Sequence, residues 1–165
     1  MKHLNPILLI IVVLITIQTA CVKEKNFPPE PIIEFKQYIK YGLDSADCII
    51  KFKDGDGDVG ILSGDTSSTD DFKMRYLYKD TTDGKFHPYD ATVGTIVFDT
   101  LYYSYRVPNL TPTGQYKALD GEIKAKLRSA PLYGPGHKTV KFEITLRDRA
   151  GHISNMVTTN EITIP

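Results

Sequence analysis

Apolar residues recur at every second position along most of this chain. Over 32–39, Ile33, Phe35 and Ile39 fall on one side of an extended backbone, and over 46–53, Cys48, Ile50 and Phe52 do the same. Phe72, Met74, Tyr76 and Tyr78 alternate with Lys73, Arg75 and Lys79. Leu101, Tyr103, Tyr105 and Val107 alternate with Tyr102, Ser104 and Arg106. Ile123, Ala125 and Leu127 oppose Glu122, Lys124, Lys126 and Arg128, and Val140, Phe142, Ile144 and Leu146 oppose Lys141, Glu143, Thr145 and Arg147. A period of two sends successive side chains to opposite faces of a strand. These runs therefore predict strands with one apolar and one wet face, and a last strand is expected over 153–164. Turn chemistry separates them at Asp83-Gly84, Pro108-Asn109, Pro112-Thr113-Gly114, Asp120-Gly121, Gly134-Pro135-Gly136 and Ala150-Gly151. The window 117–128 comes nearest to a helical stripe, but Gly121 interrupts it and its charges alternate at period two. Seven or more such strands predict two antiparallel sheets packed face to face, an all-β immunoglobulin-like sandwich. A Greek-key barrel or jelly roll meets the same pattern. The antibody signature of Cys…Trp…Cys is missing, since the chain has no Trp.

The first thirty residues follow a different rule. Lys2 and His3 precede an apolar run over 7–17, broken only by Thr16. As a helix this run rises about 16 Å, well short of a hydrocarbon core of about 30 Å, and its length suits the apolar region of a signal peptide. Gln18-Thr19-Ala20-Cys21 then resembles the lipobox of bacterial lipoproteins, in which the cysteine thiol is acylated and the bond before it is cut. Thr19 and Ala20 fit that pattern, whereas Gln18 stands where an aliphatic residue is usual. Ordinary secretory cleavage beside an incidental cysteine is the alternative. A polar stretch over 22–26 and Pro28, Pro29 and Pro31 follow, the composition of an extended spacer. The expected organisation is a signal peptide over 1–20, a lipidated Cys21 with a flexible tether over 21–31, and one β-sandwich domain over 32–165. Acyl chains contribute about 0.8 kcal/mol per buried CH₂, so several of them anchor a domain firmly to a membrane. Lys23-Glu24 is a short version of the Lys-acidic run that marks surface export in some bacterial groups, a lean toward surface exposure.

A domain of about 135 residues can bury nearly 70% of its unfolded surface and needs no disulfide. Cys48, alternating with Ile50 and Phe52, is expected to be a buried free thiol acting as a small hydrophobe. The 20 Lys and Arg balance the 20 Asp and Glu, so no basic field invites nucleic acid.

One constellation carries chemistry. Asp54-Gly55-Asp56-Gly57-Asp58-Val59-Gly60 places alternate aspartates on a glycine-loosened loop, which can turn three carboxylates toward one hard cation. Calcium takes six to eight oxygens at about 2.3–2.6 Å. Counted from Asp54, the spacing resembles the calcium loop D-x-[DN]-x-[DN]-G-x5-E, with Asp56 and Asp58 at the next ligand positions, the carbonyl of Gly60 at the seventh and Asp65 at the twelfth. Val59 replaces the glycine of that loop and Asp65 replaces its glutamate. Asp148, in Arg147-Asp148-Arg149-Ala150-Gly151-His152, is a further candidate ligand, although Arg147 and Arg149 could instead neutralise the aspartates. A plain polar loop, with Asp-Gly steps supplying turns, is the competing reading. Gly55-x-Gly57-x-x-Gly60 also spells a dinucleotide fingerprint, but Asp56 and Asp58 would repel phosphate and no helical stripe follows, so no nucleotide is expected. His87, His137 and His152 show no ligand spacing, no G-x-S-x-G elbow exists, and Asp70-Asp71 is expected to be a solvated turn. No catalytic residue is assigned. Tyr102, Tyr103, Tyr105, Tyr116 and Tyr133 could present an aromatic platform to a sugar or protein, or fill the core with their hydroxyls at its rim.

The lipobox, the proline-rich tether, the Asp54–Gly60 loop and the closing Asp148-Arg149-Ala150-Gly151-His152-Ile153-Ser154-Asn155 together resemble small lipoproteins of Bacteroidota-type bacteria with a single Ig-like β-sandwich domain. The closing motif is similar to the last hairpin of many bacterial Ig-like domains, where D-x-A-G-x-x-S precedes the final strand. Asp44-Ser45-Ala46, Asp80-Thr81-Thr82 and Asp99-Thr100-Leu101 also resemble the short O-glycosylation motif of that group. The resemblance implies a cell-envelope protein of the outer membrane, periplasmic or surface-exposed, held by lipid on Cys21 and carrying no established activity. The expected role is a binding or structural module for a protein or glycan partner, with a calcium site. A calcium-dependent surface adhesin or glycan-binding protein, and a hydrolase with a cryptic carboxylate site, are the alternatives.

Overall fold

The computed structural model describes residues 26–42, 45–66, 70–89, 91–93, 96–98, 101–128 and 137–164. The signal and lipobox residues, including Cys21, and Tyr133 lie outside this set. The strands are β1 (Ile32–Tyr41), β2 (Ser45–Asp54), β3 (Phe72–Lys79), β4 (Phe86–Pro88), β5 (Ala91–Val93), β6 (Ile96–Phe98), β7 (Tyr102–Tyr105), β8 (Leu119–Arg128), β9 (Thr139–Leu146), β10 (Val157–Thr158) and β11 (Ile162–Thr163). One sheet has the order β1-β2-β8. In the other, β9 lies between β3 on one side and β10 and β11 on the other, while the far edge of β3 is shared by β7 and β4. Strands β5 and β6 pair with each other. The chain passes from the first sheet to the second at β3, returns for β8 and crosses again to β9, the division of strands found in immunoglobulin-like sandwiches. All these pairings are antiparallel.

The alternation in the sequence is the packing of this molecule. Cys48, Ile50, Phe52, Ile123, Ala125 and Leu127 face inward from the first sheet, and Phe72, Met74, Tyr76, Val140, Phe142, Ile144 and Leu146 from the second. Each large apolar side chain removed from water contributes about 1.5–3 kcal/mol. Cys48 is a buried free thiol, and burial pushes its pKa up to about 12.

Two of the predicted strands depart from the sequence expectation, and the short β4, β5 and β6 lie outside the predicted runs. In β1 the register slips between Phe35 and Gln37, the signature of a bulge at Lys36. The extra residue inverts the parity beyond it. Tyr38 then lies opposite the inward Cys48 and stacks on Phe142 at 5.9 Å, while Ile39 lies opposite Asp47 and leaves the face of Ile33 and Phe35. The expected strand over 153–164 is broken into β10 and β11. Around the break, hydroxyls replace part of the ladder: Ser154 Oγ accepts the Leu146 amide at 3.0 Å and Thr159 Oγ1 accepts the Phe142 amide at 3.0 Å, each then donating to the next residue's carbonyl.

Candidate metal centre

Asp54 is the last residue of β2 and continues the inward series of Cys48, Ile50 and Phe52. Strand parity therefore drives its carboxylate into the end of the sandwich, where the residue is fully buried. Its Oδ2 accepts the Asp58 amide at 3.0 Å, which closes the loop on itself. Val59 then re-enters the core and bridges to Asp148, which fixes the far end. Between these two points the loop crowds other backbone. A Cβ on Gly57 would lie 2.1 Å from the Lys117 carbonyl oxygen, and one on Gly60 would lie 2.1 Å from that of Pro108. Both glycines also have positive φ, 73° and 90°, so here the glycines serve close approach as well as turning.

The fold brings Asp54, Asp56 and Asp58 together. One carboxylate oxygen of each lies within 4.8 Å of the others. Asp56 is exposed at the mouth and Asp58 is half-buried. Asp58 Oδ2 accepts the Ala150 amide at 2.9 Å. The second oxygens are different: Asp54 Oδ1 and Asp58 Oδ1 are buried and have no hydrogen-bond partner among the described residues. A buried carboxylate oxygen without a donor or cation is costly. Burial and the neighbouring Asp56 raise the Asp54 pKa to about 6. Asp58 is raised by burial and by the Asp148 and Asp56 charges. The main charges acting on Asp54 and Asp58 are neighbouring carboxylates, and Asp56 comes close enough to Asp58 to share a proton with it. The donors are all oxygens, with no thiol or imidazole among the three, the chemistry of calcium rather than zinc or copper.

The other predicted ligands are placed apart from this set. Gly60 offers its carbonyl to Arg149 Nη1 at 2.6 Å. Asp65 is exposed on the rim of a cleft of about 290 Å³ that Asp71, Arg147, Asp148 and Arg149 also line, and its own carbonyl accepts Arg106 Nη2 at 2.7 Å. Asp148 is buried and spends both oxygens locally: Oδ1 accepts the Gly151 and His152 amides at 2.7 and 2.8 Å, and Oδ2 pairs with His152 Nδ1 at 2.7 Å. That pairing raises the His152 pKa. Asp148 thus acts on the site as a nearby charge and as the clamp of the turn whose Ala150 amide holds Asp58.

Arg149 does not neutralise the aspartates. Its guanidinium spans carbonyls and side chains of two other loops, reaching Asn109 Oδ1 at 3.0 Å and Thr111 Oγ1 at 2.5 Å besides Gly60. Asp71, expected in a solvated turn, is buried instead. Its Oδ1 accepts the Val107 amide at 2.8 Å and its Oδ2 has no partner among the described residues. Sequence reasoning missed Asp71 because a turn aspartate and a loop-crossing aspartate look alike. It also did not group Asp80 and Asp83 of the β3–β4 turn with His87 of β4, which approach one another. There Asp80 and Asp83 cap the Thr82 and Lys85 amides, and Asp83 binds His87 Nε2 at 2.9 Å, bonds that account for the cluster as turn structure. Of the tyrosines considered for a platform, Tyr102 and Tyr116 are exposed, whereas Tyr103 and Tyr105 pack against the core. Comparison with family models, curated proteins and solved structures found no match to this chain.

Proposed function

We propose that this chain is a lipid-tethered, extracytoplasmic β-sandwich module that acts by binding, with one calcium ion held by Asp54, Asp56 and Asp58. One observation carries the metal reading: the three carboxylates converge while two of their oxygens, one on a fully buried aspartate, are buried without partners among the described residues. A divalent cation would supply the missing partner and cancel the like-charge repulsion in one step. Extracellular calcium modules are tuned to about 0.1–1 mM, which suits a site of three carboxylates completed by carbonyls or water. The lipobox-like segment ending in Cys21 and the signal-like apolar run support the envelope location and the anchor. The exposed Tyr102 and Tyr116 favour a glycan or protein partner.

A thermal melt in millimolar calcium against EDTA tests the metal. A ligand at 100 times its Kd stabilises by about 2.7 kcal/mol, so the midpoint should rise by several degrees and the rise should vanish in Asp56→Ala. An identical midpoint in calcium and EDTA would return the loop to a structural turn.

A further inference from the structure

We infer that cation occupancy of the aspartate loop controls the docking of the chain's own N-terminal strap, residues 27–31, and so sets whether the domain leaves its tether stiffly or loosely. The inference rests on the calcium reading above. Strap and loop share backbone. The Gly55 amide donates to the Pro28 carbonyl at 2.9 Å. The fit is so close that a Cβ on Gly55 would lie 2.2 Å from the Phe27 carbonyl oxygen and 2.6 Å from that of Pro28. Gly55 stands between Asp54 and Asp56, two of the three converging carboxylates, so any spreading of those carboxylates moves the residue that grips the strap.

Beyond the strap the chain is fixed in β1, where Ile32 and Ile33 pair with Lys53 and Phe52. Pro28, Pro29 and Glu30 are exposed, while Pro31 and Ile33 are buried. The Phe27 ring faces the Lys53 ammonium at 5.5 Å. Asn155 brackets Ile33, its Oδ1 accepting the Ile33 amide and its Nδ2 donating to the Ile33 carbonyl, both at 2.9 Å. Prolines at 28, 29 and 31 have no N–H to donate, so among the described residues the strap ahead of β1 meets the domain chiefly through the Gly55 bond, the Phe27–Lys53 contact and the buried Pro31. Without a cation, three carboxylates repel across less than 5 Å and the loop relaxes away from the strap. With a cation the loop is drawn in and Gly55 is held where it meets Pro28. The coupling is reciprocal: a docked strap must raise cation affinity by the same factor by which the cation favours docking.

The test uses the purified full chain in detergent, with calcium itself as the probe. Calorimetry reports binding, and amide hydrogen exchange at Gly55, in calcium and in EDTA, reports docking. Calcium should bind and slow exchange at Gly55 by about tenfold, exceeding any change at the β9 amides of Phe142 and Ile144. Gly55→Ala, which forces the strap off, should weaken calcium binding by about tenfold. Calcium that binds while Gly55 changes no more than β9 overturns the coupling and leaves the metal site standing. No binding by calorimetry overturns the metal site and the coupling with it. Should Gly55→Ala fail to fold, the exchange measurement on the natural chain still decides.

Discussion

Asp54 is the residue on which most depends, because a strand's parity buries it and a loop's geometry leaves it half satisfied. Its raised pKa makes a signed prediction about pH. In the folded protein without calcium the carboxyl titrates at about 6, against an ordinary value near 4 when unfolded. Between those values the folded state binds the extra proton, so stability falls as pH rises through this window. Taken alone, the two-unit difference is worth up to about 3 kcal/mol. In EDTA the protein should therefore melt higher at pH 5 than at pH 7. Calcium reverses the sign, because it needs the ionised carboxylates: the calcium-induced rise should be large at pH 7.5 and fade as pH drops through 6. Melts in both media across this range check it, and parallel pH dependence with and without calcium would refute it. Asp54→Asn should flatten the EDTA profile between pH 5 and 7, since the amide has no proton to release in that range.

At the scale of elements, the broken C-terminal strand is held by side chains where a regular strand would use backbone. Thr159 Oγ1 accepts the amide of Phe142, in the middle of β9 and wholly buried. Thr159→Val keeps the shape and removes the acceptor, so it should cost about 1–3 kcal/mol, whereas Thr158→Val on the exposed side of β10 should be near neutral. Denaturant unfolding of the two variants separates them, and equal stability would mean the break is held by the ladder alone. The same elements show what the sequence revealed. Alternation located β2, β3, β8 and β9 and chose their inner faces correctly, because each buries one face along its length, although Asp47 and Ile49 of β2 and Leu77 of β3 are covered at the other parity as well. It misplaced Ile39 because a bulge at Lys36 is a backbone event with no pattern of its own in the side chains. It drew one strand over 153–164 because Ser154 and Thr159 look like ordinary strand residues until they are seen bonding to β9. For the site, the D-x-D-x-D spacing was enough to bring three aspartates together. The count that extended it to Gly60 and Asp65 came from a helix-flanked loop, and here Val59 turns back into the core and carries those two residues elsewhere.

At the scale of the whole molecule, a small domain with an acidic loop at one end and a proline-rich strap leading into it acts according to how it is held. Lipid on Cys21 would place that end nearest the membrane, with the strap docked against Gly55 between anchor and sandwich. One acyl chain gives only marginal membrane binding, while two or more anchor firmly. The mature protein should therefore carry a mass increment of several acyl chains on an N-terminal Cys21, and it should sediment entirely with membranes. Cys21→Ser should release the chain to the soluble fraction, or leave its apolar leader uncut, without changing the melt of the folded domain, whose first strand begins at Ile32. An unmodified, soluble mature chain would point to ordinary secretory cleavage. The strap would then be the free end of a secreted module, and the calcium-dependent stiffness proposed for it would have no anchor to act against. Protease access to the domain on intact cells, compared before and after permeabilisation, then tells whether Tyr102 and Tyr116 face the periplasm or the outside, and with that which partners they can meet.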